Sequence, residues 1–297
     1  MLRILIIGCG DVGLRAARML RGKARVYGLL RSPERAGELR AAGVIPVPGD
    51  LDDRRSLGRL AGLADVVLHF APPPPEGEGD PRTRRLVAAL SSGESTRRGA
   101  SLPRTLIYVS TSGVYGDCAG AAVPETRPAR PHNARAKRRQ AAERTLRRWA
   151  ADTGVGLAIL RAPGIYARDR LPDARVRKSL PALLPADDID TNHIHADDLA
   201  GLAVAAMFRA GRNRLYNAVD DSGLKMGDWF DVVADFIGVS RPPRLPKDEV
   251  MAAVTPAMRS FLSESRRLSN DRIKGELRYR LLYPNVRVAL FEPPGKG

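Results

Sequence analysis

The chain has 297 residues, a net charge of +16, two cysteines and 43% apolar residues, which supports a sizeable core and excludes a disordered chain, a disulfide scaffold and a four-thiolate zinc site. No apolar run reaches the roughly 18 to 20 residues needed to cross a bilayer, and Leu2–Ile7 is too short for a secretion signal, so a cytoplasmic, reduced protein with no membrane partner is expected. The 49 basic residues are spread along the chain and aromatics make up only 5%, so no base-stacking platform is evident and nucleic acid is not the expected partner.

Short apolar runs alternate with amphipathic stretches through the first half. Strands are predicted at Leu2–Ile7, Arg25–Leu30, Val44–Val47, Asp65–Phe70, Thr105–Ser110 and Gly156–Arg161. Helices are predicted between them at Val12–Arg21, Pro33–Ala41, Asp53–Ala61, Pro81–Arg98 and Ala134–Thr153. This alternation implies βαβ units and a doubly wound α/β parallel sheet, a Rossmann fold with ligands at the carboxyl ends of the strands. Pro72–Pro75 and Gly77–Asp80 read as loop, and Ala162–Asp190 shows no clear strand. Beyond it, Ala196–Ala210, Met226–Ile237 and Pro256–Ser263 read as helices and Leu215–Ala218 as a strand. The expected organisation is a Rossmann domain over 1–161, with 193–219 returning to it. A smaller C-terminal substrate lobe would come from 162–192 and 220–297.

The sharpest local signal is Gly8-Cys9-Gly10-Asp11-Val12-Gly13, a GxGxxG between the first strand and first helix. Gly8 permits the tight turn, Gly10 lets a pyrophosphate approach the backbone, and Gly13 lets helix and strand pack closely. The helix N-terminus adds N–H donors for the anion. The second strand ends Leu30-Arg31-Ser32, without the acid that holds the ribose hydroxyls in NAD sites. Arg31 and Ser32 suit a 2′-phosphate, so NADP is expected ahead of NAD. Asp50 and Leu51 follow the third strand, where a carboxylate can accept from the adenine amino group, and Phe70-Ala71-Pro72 follow the fourth, where backbone can flank the ribose. Cys9 reads as a small residue in a tight turn, although a helix N-terminus lowers a thiol pKa. His193 and His195 lack a Cys or Glu cluster, so no metal is expected. Asp197-Asp198 reads as a helix start.

These segments resemble the extended or atypical short-chain dehydrogenase/reductase superfamily, its NAD(P)-dependent epimerase/dehydratase-like group. Tyr108–Gly116, Leu160–Tyr166 and Asn192–Ala200 carry the resemblance together with the glycine turn. It implies a small-molecule substrate, hydride chemistry on a nicotinamide cofactor, and a homodimer through helices beside the sheet. It also implies a Ser/Thr that polarises the reacting oxygen, which falls on Thr111 with Ser112 beside it. The general acid Tyr and the ribose-holding Lys of a YxxxK motif fall on Arg135 and Arg139, between Pro131 and Glu143. Arg139 can still hold ribose. Arg135, with a pKa above about 12, donates no proton near neutrality but can bind a carboxylate or phosphate bidentately. Three readings follow. Another group supplies the proton, with Tyr166, Tyr115, His132 and His195 as candidates. Or the arginines act electrostatically and the proton comes from water or substrate. Or the protein is a catalytically degenerate NADP(H)-binding sensor or scaffold. Arg161 and His195 are expected to meet substrate, with a buried ion pair as the alternative for Arg161. Pro163 is expected beside the cofactor.

Overall fold

Every strand of the main sheet runs parallel, which requires a crossover between consecutive members. The computed structural model of the chain describes residues 1–92 and 102–292. In chain order the first half contributes β1 (Arg3–Ile7), α1 (Asp11–Leu20), β2 (Arg25–Leu30), α2 (Ala36–Ala41), β3 (Val44–Pro48), β4 (Val66–His69), α3 (Pro81–Ser91), β5 (Thr105–Thr111), β6 (Ala122–Val123), α4 (Ala134–Thr153) and β7 (Gly156–Ala162). The second half contributes β8 (Gly164–Tyr166), α5 (Asp173–Arg177), β9 (Ala182–Leu183), β10 (His193–His195), α6 (Ala196–Arg209), β11 (Arg214–Asn217), α7 (Met226–Ile237), β12 (Arg244–Leu245), α8 (Lys247–Ala253), α9 (Pro256–Leu262), β13 (Arg267–Leu268), α10 (Asp271–Gly275) and α11 (Val286–Phe291).

The seven-stranded sheet has the order β11-β7-β5-β4-β1-β2-β3. Strand order reverses between β1 and β4, the switch point at which such sheets open a crevice. Side-chain alternation divides the core: Ile4 and Ile6 pack with α1 and α6, while Leu5 and Ile7 pack with α3 and α4. Burial on both faces explains why these strands read as continuous apolar runs. Asn133 caps α4 by accepting from the Ala136 N–H, and Gly154 ends that helix in the left-handed region.

The C-terminal segments build a separate apolar cluster around Tyr166, Val176, Trp229, Phe230 and Val286. Three short parallel pairings, β8 with β10, β9 with β12 and β6 with β13, stitch distant segments together.

Two expectations are corrected. The stretch 53–61 is a 3-10 turn over Arg54–Leu60, opened by Asp53 accepting from the Arg55 N–H, with Gly58 inside it weakening any α-helix. The stretch 162–190 contains β8, α5 and β9, because its short strands pair with partners far away in sequence. The predicted helix Pro81–Arg98 runs to Ser91, and its part over 93–98 lies outside the described residues. Among the described residues, no helix is long and apolar enough to cross a membrane.

Candidate functional site

At the switch point the chain leaves β1 through Gly8, at φ 94°, where a Cβ would lie 2.5 Å from the Ala71 nitrogen. No L side chain fits there, so the turn after β1 and the exit from β4 can touch. Ile7 O accepts from the N–H groups of both Phe70 and Ala71, at 2.7 and 3.0 Å. A Cβ on Gly13 would strike the Gly8 carbonyl, so α1 can start against the turn only with glycine. A Cβ on Gly10 would meet nothing within 4 Å. The turn therefore leaves open space at the N-terminus of α1, the shape and polarity that suit a pyrophosphate.

This turn forms one end of a cavity of about 750 Å³. Gly8, Gly10, Asp11, Val12, Gly13, Phe70, Ala71, Pro72, Thr111, Ser112, Arg135, Arg139, Pro163 and Tyr166 all line it, so the fold brings fourteen of the expected residues to one cleft. Cys9, Arg31, Ser32, Asp50, Leu51, Arg161 and His195 do not line it.

Cys9 points inward. Its Sγ donates to Ile6 O and lies where a Cβ of Gly28 would go, and burial pushes the thiol up to about 12. The helix N-terminus does not activate it, because the side chain faces the core. Arg31, exposed, and Ser32, half-buried, follow β2 outside the enclosed cavity. Asp50 spends one carboxylate oxygen on the Asp52 N–H, and Leu51 is buried with its carbonyl bound by Arg85. Arg35, which sequence reasoning did not single out, donates to the Cys9 carbonyl at 3.0 Å while pairing with Glu38. Asp11 accepts from Arg15 at 2.6 Å and from Arg170 at 3.2 Å, so the carboxylate inside the glycine turn is neutralised from both sides. Arg170 comes from 159 positions away, and no local sequence signal marks it.

At the position of the expected catalytic group, Thr111 Oγ1 accepts from the Gly113 N–H, which leaves its hydroxyl proton free to donate. Ser112, buried, is beside it. Arg139 donates to Val109 O at 2.8 Å and to the Tyr108 hydroxyl at 3.1 Å, so its head is fixed on β5. Arg135, one turn earlier on α4, lies over the Phe261 ring at 4.6 Å.

Several expected roles are corrected by these contacts. Arg161 forms a buried pair with Glu143 at 2.6 Å and covers the Tyr115 ring, so it is spent inside the protein. Tyr166 donates to Asp220 at 3.1 Å, and burial and that carboxylate push its phenol well up, away from acid chemistry. Tyr115 donates to Asn217 at 2.8 Å, and burial raises it too. His195 is the cap of α6: its Nδ1 accepts from the Asp197 N–H, its ring stacks on Tyr283 at 3.8 Å, and burial lowers it to about 4. The cap is therefore this histidine and not the Asp197-Asp198 pair, and Asp198 instead accepts from the Leu282 and Tyr283 N–H groups inside the core. His132 is exposed and borders Gly116 rather than the cleft. The histidine that does line the cleft is His193. Among the described residues no cluster of three metal-ligating side chains occurs.

Comparisons place this geometry among known proteins. The model of the NAD dependent epimerase/dehydratase family matches residues 4–218. A solved structure of a functionally unknown conserved protein from Silicibacter pomeroyi is 32% identical, with a TM-score of 0.78 over 98% of this chain and 97% of that one. An uncharacterised protein of Schizosaccharomyces pombe is 29% identical over 80% of each chain. The UDP-glucuronic acid 4-epimerase of Bacillus cereus, solved in complex with NAD, shares the fold at 17% identity, with a TM-score of 0.72 over 95% of this chain and 94% of that one.

Proposed function

From its place in the NAD dependent epimerase/dehydratase family, to which this chain belongs, we propose that it is an NADP-dependent oxidoreductase or epimerase-like enzyme acting on a small anionic or sugar-like substrate. Residues 1–161 with 193–219 form the nucleotide-binding unit, and 162–192 with 220–297 the substrate-side lobe. The observation that carries the reading is the open space over Gly10 at the start of α1, in a cleft that also holds Thr111, Arg135 and Arg139. When bound, the cofactor supplies or removes a hydride.

The chain's own residues do the rest. Gly8, Gly10 and Gly13 cradle the pyrophosphate, while Arg31 and Ser32 hold the 2′-phosphate. Arg139, fixed by Val109 O, holds the ribose. Thr111 donates to the reacting oxygen. Arg135 meets the substrate's charge. Tyr115 and Tyr166 spend their hydroxyl protons on Asn217 and Asp220, and Tyr108, whose hydroxyl accepts from Arg139, is wholly buried and does not line the cleft, so none of the three replaces the missing acid. The proton therefore passes between substrate and water, with the arginines stabilising charge. The same engaged hydroxyls favour a second reading, a cofactor-binding sensor or scaffold without turnover.

Calorimetric titration with NADPH and NADH, alongside Arg31→Ala, tests the cofactor assignment. NADPH should bind more tightly, and the variant should lose about tenfold for NADPH alone, about 1.4 kcal/mol. Binding of neither cofactor overturns the reading. Turnover of NADPH with a carbonyl substrate separates the enzyme from the sensor.

A further inference from the structure

We propose that the substrate half of the cleft is built for an aryl carboxylic acid, with the carboxylate on Arg135 and a second oxygen of the molecule on His193. The proposal rests on the reading above, that the dinucleotide takes the glycine-turn end.

The charges in the cleft mostly cancel. Arg170 pairs with Asp11 at 3.2 Å, Arg266 with Glu264 at 2.8 Å, and Asp190 with Lys225 at 3.0 Å. Both oxygens of Glu264 are in use, one taking Asn133 and the other Arg266. Arg139 is tied to β5. Among the described residues, Arg135 alone of the cleft-lining arginines has neither an acidic partner within ion-pair distance nor a hydrogen bond. Its contact with the face of Phe261 holds the guanidinium in place and leaves its N–H edge free. Arg139 is a second guanidinium without an acidic partner, but its head is bonded to β5 where the reading above puts the ribose. In the substrate half, therefore, one uncompensated guanidinium matches one negative charge, and its fork matches a carboxylate. A diphosphate brings more negative charge than this half of the cleft can neutralise.

His193 supplies the second polar point. Its ring is 3% exposed, lines the cleft and packs on Trp229 at 4.5 Å. Nδ1 is enclosed without a partner. Buried donors without acceptors are rarer than under-satisfied acceptors, so the proton belongs on Nε2, the nitrogen left to meet a ligand. Burial holds the imidazole neutral, lowered to about 3, so Nε2–H remains a donor across neutral pH. Gly164, also on the cleft, makes room for that edge: a Cβ there would sit 3.1 Å from His193 Cδ2.

Trp229, Phe230, Met226 and Met258 also line the cleft, with Trp229 packed on His193, and give it apolar surface that suits a flat apolar body, among polar lining residues that include Ser112, Thr191, Asn192 and Ser260.

The chain reports on this site by itself. It has two tryptophans, Trp149 and Trp229. Trp149 belongs to the α3–α4 side of the sheet, bonded to Ser91, so a cleft ligand is read through Trp229. The full chain, with NADP⁺ present, is titrated with phenylpyruvate, cinnamate, acetate and UDP-glucose while tryptophan emission is followed. Saturable quenching by the aryl acids is expected, at least about tenfold weaker in Arg135→Ala and partly restored in Arg135→Lys. His193→Phe should weaken phenylpyruvate severalfold while preserving the ring contact with Trp229, and should leave cinnamate, whose only oxygens are the carboxylate's, unchanged. Saturation by UDP-glucose without response to aryl acids overturns the proposal, as does undiminished aryl-acid binding in Arg135→Ala. NADP⁺ affinity, measured in the same variants by calorimetry, should stay unchanged. Failure of wild type to bind NADP⁺ counts against the cofactor reading and leaves the aryl-acid titration, repeated without it, to decide this one.

Discussion

Replacing Arg161 by Met distinguishes a structural arginine from a substrate-binding one. The guanidinium gives Glu143 two hydrogen bonds, Nε to Oε1 at 3.0 Å and Nη2 to Oε2 at 2.6 Å, and Ser110 adds a third to Oε1 at 2.7 Å. The side chains of Arg161 and Glu143 are only 6% and 4% exposed. Removing the cation leaves a carboxylate buried with one hydroxyl as partner, a loss of about 3–5 kcal/mol. Unfolding entropy of roughly 2.1 cal/mol/K per residue gives about 0.6 kcal/mol/K for this chain, so the melting temperature should fall by about 5–8 °C. The double variant Arg161→Met/Glu143→Leu removes both charges and should recover most of the loss, because the pair's attraction offsets its own desolvation. Urea unfolding and calorimetry on the three proteins measure this. A single variant within about 1 kcal/mol of wild type would refute the buried-pair argument and return Arg161 to the substrate site.

Gly8→Ala should abolish NADPH binding and lower stability by at least about 1–3 kcal/mol, measured by calorimetry and urea unfolding, because its Cβ meets the Ala71 backbone in a left-handed conformation. Cys9 should resist a thiol reagent such as Ellman's in the native state and react on unfolding, since its buried thiol is pushed up to about 12. Asp220, buried and raised to about 7, binds a proton more tightly folded than unfolded, so its contribution is present below about pH 4 and is lost as pH rises through 7. His69 and His193 near 3 and His195 near 4 act oppositely, losing stability as pH falls below about 6.5. Comparing Asp220→Asn with wild type from pH 5 to 8 isolates the first effect: wild type should lose stability relative to the variant as pH rises, and a constant difference would refute the shift.

What the sequence made legible was local or periodic. The strands of the sheet are apolar runs bounded by turns, and Gly8, Gly10 and Gly13 announce themselves by spacing, so the α/β fold and the glycine turn at one end of the cleft could be read residue by residue. Alternation along β10 puts His193 and His195 on one side of the strand, but it carries no information about which caps a helix. His195 is followed directly by α6 and uses Nδ1 on the Asp197 N–H, whereas His193 has no such neighbour and keeps to the cleft. Arg161 was ambiguous for a similar reason: its role depends on Glu143, on a helix whose facing only packing settles. The ion pair of Asp11 with Arg170 and the hydrogen bond from Asn133 to Glu264 join segments folded together from far apart, which leaves no trace in spacing.

In the proposed reading, Arg135 and Arg139 stand where the resemblance places a Tyr and a Lys, which alters the electrostatics of the reaction as well as its proton donor. A tyrosine near a lysine works because the cation favours phenolate, so one group both stores and releases a proton. Two guanidiniums store none, yet they place permanent positive charge where an oxyanion develops, and Arg139 does so from a position fixed by Val109 O and Tyr108. Such a site favours reactions whose slow step builds negative charge on oxygen and whose proton is exchangeable with water, such as carbonyl reduction. It disfavours alcohol oxidation, which needs a base to remove the proton first. His193 does not reverse this preference, because a ring held neutral by burial to about 3 is a hydrogen-bond donor and a poor base. Reduction should therefore run with little pH dependence between about pH 6 and 8, since His193, lowered to about 3 by burial, stays neutral across that range.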